Sequence, residues 1–222
     1  MQALTRYLSP YDFNPLNINP LKDLVGRFVD FDSVRAYADL QLFVSATNVR
    51  TGELHVFRRA EMTADMIVAS ACLPHLFRAV EIGGEAYWDG GYVGNPALYP
   101  LIGATQTENL LLVQINPVRR KQIPKTQDEI LARINEITFN SSLMSELRGL
   151  TFVGKLIDEG RLTRGIGPGQ YRRINVHRIE LAGAAQTLDA ASRLSTDFDF
   201  FEMLHNNGRR AARRFLDAHY DD

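Results

Sequence analysis

The sequence predicts an α/β layered domain, and three observations carry that expectation. Short apolar-rich runs with strand periodicity alternate along the chain with stretches of helical periodicity. One run, "NLLLVQIN" at 109–116, is apolar almost without a break, the pattern of a strand covered on both faces as in a parallel sheet. The chain has 222 residues, 45% hydrophobic and 23% charged, which suffices for a substantial core and argues against disorder.

Residues 9–32, rich in proline and asparagine, read as an irregular loop followed by a short helix near Pro20 to Phe28. "LQLFVSATN" at 40–48 reads as a buried strand, "VRTG" as a turn, and "ELHVFRR" at 53–59 as the hairpin partner. Thr63 stands where an N-cap would, ahead of a helix through "ADMIVASAC" that Pro74 stops. "AVEIGGEAYWDGG" reads as a hairpin turning at Gly83-Gly84. "NPALYPLIGA" reads as a short helix with Asn95 as N-cap and Pro96 at its first position. The strand at 109–116 follows. Beyond Pro117 come a long helical pattern over 126–158, an alternating strand over 172–181 and an amphipathic helix over 197–220. The expected division is therefore residues 1–116 and a mainly helical region, 117–222.

A formal net charge of −1 gives no reason to expect nucleic acid as a partner. The one concentrated basic stretch is Arg209, Arg210, Arg213 and Arg214, opposite Phe201, Leu204, Ala212 and Phe215 on a helical projection. It reads either as the solvated face of an amphipathic helix or as a phosphate or anionic-lipid patch. Cys72 is the single cysteine, so no intramolecular disulfide forms, which suits a reducing, cytoplasmic setting. No run has signal-peptide or membrane-span length; a leader upstream of Met1 would change the compartment. The histidines, 55, 75, 177, 205 and 219, form no ligand pair, so no metal site is expected. "RGIGPGQ" at 164–170 lacks the spacing of a phosphate-binding loop and reads as a flexible loop.

Asp89 is the candidate for chemistry. Asp89-Gly90 is first an ordinary turn pair, because both residues tolerate positive φ. The other reading is a carboxylate held on a rigid turn and shielded by Tyr87, Trp88 and Tyr92. Such shielding raises a carboxylate's pKa and improves it as a base near neutral pH. Gly90 and Gly91 would let another segment approach closely.

Residues 62–102 carry a helix ending in Ala69-Ser70-Ala71-Cys72-Leu73-Pro74, then Phe77, a short hairpin, Asp89-Gly90-Gly91 and Asn95-Pro96. This block resembles the C-terminal catalytic part of the patatin-like phospholipase family, and residues 41–57 are similar to the family's preceding strand pair. The resemblance runs over about residues 35–116 and is looser on either side. It implies a layered helix–sheet–helix domain, truncated on its N-terminal side. It also implies hydrolysis of lipid acyl esters by a Ser–Asp dyad without histidine or cofactor. Asp89 matches the dyad aspartate, with Gly90 and Gly91 as the motif glycines.

The resemblance leaves a gap. None of the serines, at 9, 33, 45, 70, 141, 142, 145, 192 and 195, stands in the Gly-x-Ser-x-Gly elbow that exposes such a nucleophile. No glycine-rich oxyanion loop precedes a strand–helix unit. Ser70 lies in the helix-end pattern, where capping or packing is expected, and Cys72 reads as an inert core residue. His75, at the same helix end, reads as a capping residue. The expectation is the aspartate-bearing part of a longer enzyme, inactive alone, with a lipid ester as substrate and a peripheral membrane surface as a further partner. The missing part would supply parallel strands, so a bared sheet edge would take up an N-terminal fragment or self-associate. The alternative is a non-enzymatic pseudo-hydrolase or lipid-surface binding module.

Overall fold

A computed structural model describes residues 8–120, 122–180 and 195–220. The architecture is mixed α/β, in two compact units: Met1–Thr105 with Ser142–Glu146, and Gln106–Ser141 with Leu147–Asp222.

The first unit opens with three short helices, α1 (Pro10–Phe13), α2 (Pro20–Phe28) and α3 (Phe31–Ala36). The α2 span is the one expected: Pro20 sits in the first turn, and the Asn19 side chain accepts from the Leu21 N–H. The hairpin of β1 (Phe43–Asn48) and β2 (Leu54–Arg58) follows, then α4 (Ala64–Ser70) with Thr63 at its N-cap position. The Thr63 side chain makes no capping hydrogen bond. A second hairpin joins β3 (Val80–Ile82) to β4 (Glu85–Asp89). Its turn is Gly83-Gly84, both at positive φ (61° and 84°), where a β-carbon would be strained. The four strands form an antiparallel sheet ordered β2-β1-β4-β3.

The core lies between this sheet and α4. Ala46, Phe57, Met62, Met66, Ala69 and Tyr87 are buried together, with Val44 and Val80 packed against them. Tyr87 meets Phe57 edge-on at 5.3 Å between ring centroids, a cross-strand aromatic contact worth about 1 kcal/mol beyond its buried area.

The expected helix start at Asn95 is not where the helix begins. The Asn95–Pro96 peptide is cis, and α5 runs from Tyr99 to Ala104 with Leu98 at its N-cap position. Pro100 is the first-turn proline. Glu146 serves the exposed amides from outside the segment, accepting from the Leu98 N–H at 2.8 Å and the Tyr99 N–H at 3.2 Å.

The second unit pairs β5 (Asn109–Gln114) in parallel with β6 (Asn175–Glu180), as a two-stranded sheet among the described residues. Between them runs α6 (Gln127–Asp158), started by a capping box in which Thr126 and Glu129 exchange hydrogen bonds. The closing helix α7 (Phe198–His219) packs on β6. The parallel pairing is as expected, but coverage on both faces is not. Leu112 and Gln114 are buried, whereas Leu111, Val113 and Ile115 are 51%, 65% and 72% exposed. The apolar run has strand alternation with one face open, because apolar residues also occupy its outward positions. Residues 164–170 end in a bridge between Arg164 and Tyr171. Leu181, the last residue of the expected strand, lies outside the described residues.

A buried polar network fixes α6 to the end of β5. Glu136 accepts from Arg120 (Nε, 3.2 Å; a second bond comes from Nη2) and from Arg133 (Nη1, 3.0 Å). Asn140 donates to the carbonyls of Glu136 and Pro117, at 2.9 and 3.3 Å, and accepts from Gln114 Nε2 at 3.4 Å. Burial pushes the Glu136 carboxyl up. The hydrogen bonds and charges of Arg120 and Arg133 outweigh that and hold it below its usual range.

Candidate active site

Asp89 ends β4 where the chain leaves the sheet for a single 3-10 turn, Gly90–Tyr92. Bonds from its backbone and its side chain hold it. Its N–H donates to the Cys72 carbonyl (2.9 Å), its own carbonyl accepts from Thr47 Oγ1 (2.8 Å), and its Oδ1 accepts from the Gly91 N–H (2.8 Å). The carboxylate therefore caps the turn that follows it, and the residue is tied to β1, to β4 and to the segment just after α4 at once. On β1, Ala46 stands opposite Asp89 and Thr47 opposite Trp88.

Gly90 is buried against β1. A β-carbon there would lie 2.3 Å from the Ser45 carbonyl oxygen and 2.6 Å from both the Ser45 carbonyl carbon and Oγ. Only glycine lets this turn sit on the strand. Gly91 is also buried, and its contribution is the amide given to Asp89. The small residues Ser45, Ala46 and Thr47 are the other half of this packing. Ser45 Oγ also donates to the Gly94 carbonyl at 3.3 Å.

The expected aromatic shield divides. Tyr92 is half-buried beside the site: burial first, then the negative charge of Asp89, pushes its phenol up. Tyr87 is buried in the core, its phenol raised by burial and by Glu85 and Glu61 rather than by Asp89. Strand alternation turns Trp88 to the other face of β4.

Cys72 is 1% exposed, and its thiol donates to the Arg78 carbonyl at 3.2 Å. Burial, then the charge of Asp89, pushes the thiol up to about 11, so almost none of it is thiolate at neutral pH. Cys72 should resist iodoacetamide in the folded chain at about pH 7.5 and react once urea unfolds it, read by intact mass. Rapid labelling without denaturant would contradict this burial. Ser70 Oγ donates to the Ile67 carbonyl at 2.7 Å, a bond within its own helix. His75 is exposed, and Ser192 lies outside the described residues. Among the described residues, no group of three His, Cys, Asp or Glu side chains could hold a metal ion, and no helix is long and apolar enough to cross a membrane.

Reading the sequence missed Thr47, Ser45, Ser142 and Glu146. The run of small residues at 45–47 was a usable signal for the close approach of Gly90. Glu146 and Ser142, which accepts from the Asn95 N–H at 3.3 Å, reach the loop after the Asp-Gly-Gly turn from a helix far along the chain. Nothing local marks them.

Residues 2–102 match the model of a protein family, described as patatin-like phospholipase. The match contains all of the 62–102 block and Asp89, reaches further toward the N-terminus than the resemblance did, and ends inside α5. No curated protein matches the chain.

Proposed function

We propose, on the premise that residues 2–102 carry a patatin-like phospholipase segment, that this chain is the aspartate-bearing part of a lipid acyl-ester hydrolase. Asp89 is the base of a Ser–Asp dyad, and the serine and oxyanion hole come from a polypeptide segment that precedes it in the assembled fold. The observation that carries the reading is the anchoring of Asp89. A catalytic base must be fixed relative to its nucleophile, and this carboxylate sits at a strand end on a turn locked by Gly91 and seated on β1 through Gly90.

The role follows from proton bookkeeping. A serine hydroxyl attacks an ester carbonyl only as its proton leaves, and Asp89 Oδ2 takes that proton while Oδ1 stays bonded to the Gly91 amide. The protonated aspartic acid then returns the proton to the departing alkoxide. Water repeats the cycle on the acyl-enzyme. The catalytic layer is helix–sheet–helix, completed on its N-terminal side by the segment bearing the nucleophile. The open face of β5, with Leu111, Val113 and Ile115 exposed, is the face that a further helix layer would cover.

The test is fluorophosphonate labelling read by intact mass. The chain alone should give no adduct. Co-expression with a segment carrying Gly-x-Ser-x-Gly should give one adduct on that serine, lost in Asp89→Asn. Adduct formation on the chain alone would locate a reactive serine elsewhere and replace this assignment.

A further inference from the structure

We propose that α7 is a docking surface for an anionic phospholipid bilayer, with Arg209, Arg210, Arg213 and Arg214 contacting lipid phosphates. The choice of a lipid surface over another polyanion rests on the hydrolase reading. The surface itself rests on the structure of the second unit.

All four arginines are exposed, and among the described residues none is in an ion pair. Elsewhere in the unit, several arginines are matched: Arg120 and Arg133 with Glu136, Arg164 with Glu108, Arg173 with Asp158. Among the described residues, Arg210 donates to the Asn207 side-chain oxygen. Asp217, one turn beyond Arg213, forms an ion pair with none of the four. The spacing sets Arg209 beside Arg213 and Arg210 beside Arg214, two like-charged i,i+4 pairs that disfavour the helix on their own. A surface of phosphates turns that repulsion into attraction.

The opposite side of α7 is already used. Ala211 is buried, and Phe215 meets His177 of β6 at 6.2 Å between ring centroids, so the arginines face away from the strand pair. Beside them run exposed apolar residues. Phe198 (76%), Leu216 (48%) and Tyr220 (80%) are separated from Arg209 by close to whole helical turns and share its line along the helix. Arginines with aromatic and aliphatic neighbours on one exposed line suit the headgroup–acyl boundary better than they suit bulk water. By sequence the second unit is also net basic while the first is net acidic, although the whole chain is near neutral. An anionic surface therefore attracts this unit.

Vesicle flotation tests the proposal, since aggregates sink while bound protein rises. The chain should float with phosphatidylcholine vesicles containing about a third phosphatidylglycerol. It should stay at the bottom with phosphatidylcholine alone, or in about 0.5 M salt. The variant with all four arginines changed to Gln should bind on the order of a hundredfold more weakly. Arg27, Arg50 and Arg119 changed to Gln should float like the parent. Leu216→Gln with Tyr220→Gln should weaken binding severalfold while keeping its salt dependence. Failure of the parent to float, or flotation of the arginine variant like the parent, would overturn the proposal. Tighter binding to a DNA duplex than to vesicles, through the same arginines, would reassign the surface to nucleic acid. Flotation needs no reactive serine, so a failed labelling experiment leaves this result standing, and the reverse holds too.

Discussion

Gly90→Ala should be the most damaging single methyl group in the first unit, costing about 3 kcal/mol. The new carbon would fall 2.3 Å from the Ser45 carbonyl oxygen and 2.6 Å from the carbonyl carbon. Neither is the end of a flexible side chain. β1 is held between β2 and β4 by its hydrogen bonds, so it cannot retreat without breaking a ladder. The turn must lift instead. That would break the bond from Gly91 to the Asp89 carboxylate and loosen the one from Thr47 to the Asp89 carbonyl. Against a whole-domain stability of about 5–15 kcal/mol the loss is large. Gly103→Ala, in α5, is the control: a β-carbon there meets nothing within 4 Å, and the substitution should be neutral or slightly stabilising. Urea unfolding midpoints separate the two. Equal midpoints would mean that Gly90 does not sit on Ser45 as described.

Glu136→Ala should destabilise the second unit by about 3 kcal/mol, because it leaves Arg120 and Arg133, each largely buried, without their shared carboxylate. The pH dependence has a definite sign. The folded carboxyl is held below its unfolded value, so its contribution is fully present above the ordinary carboxylate range and disappears as pH falls through the folded pKa. The parent should therefore lose more stability than Glu136→Gln between about pH 7 and pH 4, measured by urea unfolding. Parallel profiles would show that Glu136 is not the linked group.

The strands and long helices were legible because their signals are local. Alternation located β1 and β6, the turn at "VRTG" located β2, Gly83-Gly84 located the second hairpin, and helical periodicity over 126–158 located α6. The turn at Asp89-Gly90 was legible for the same reason, being a compact local pattern. Trp88 was misplaced on local grounds, since alternation along β4 already sets it opposite Tyr87; the other failures were non-local. The start of α5 depends on Glu146, which no neighbour of Asn95 announces. The exposure of Val113 and Ile115 depends on what covers β5, and an apolar run reads the same whether its second face is covered or open. The support of Asp89 by Thr47 and Cys72 depends on a strand pairing and a helix end that meet only in three dimensions.

The Gly83-Gly84 turn sits far from Asp89 along β4, yet it decides which way that aspartate points. A two-residue connection leaves no slack between β3 and β4, so it sets which residues stand opposite one another: Val80 against Tyr87, Ile82 against Glu85. Side chains on a strand alternate, and a slip of one residue sends every one of them through the sheet to the opposite side. Losing a single glycine here would drive Tyr87 out of the core and carry Asp89 away from the face it shares with that ring. A change in chain length, with no change in charge or chemistry, would redirect the carboxylate. The β1–β2 loop at 49–53 lies at the same end of the sheet as this turn, but it joins β1 to β2, and lengthening it would leave that parity intact.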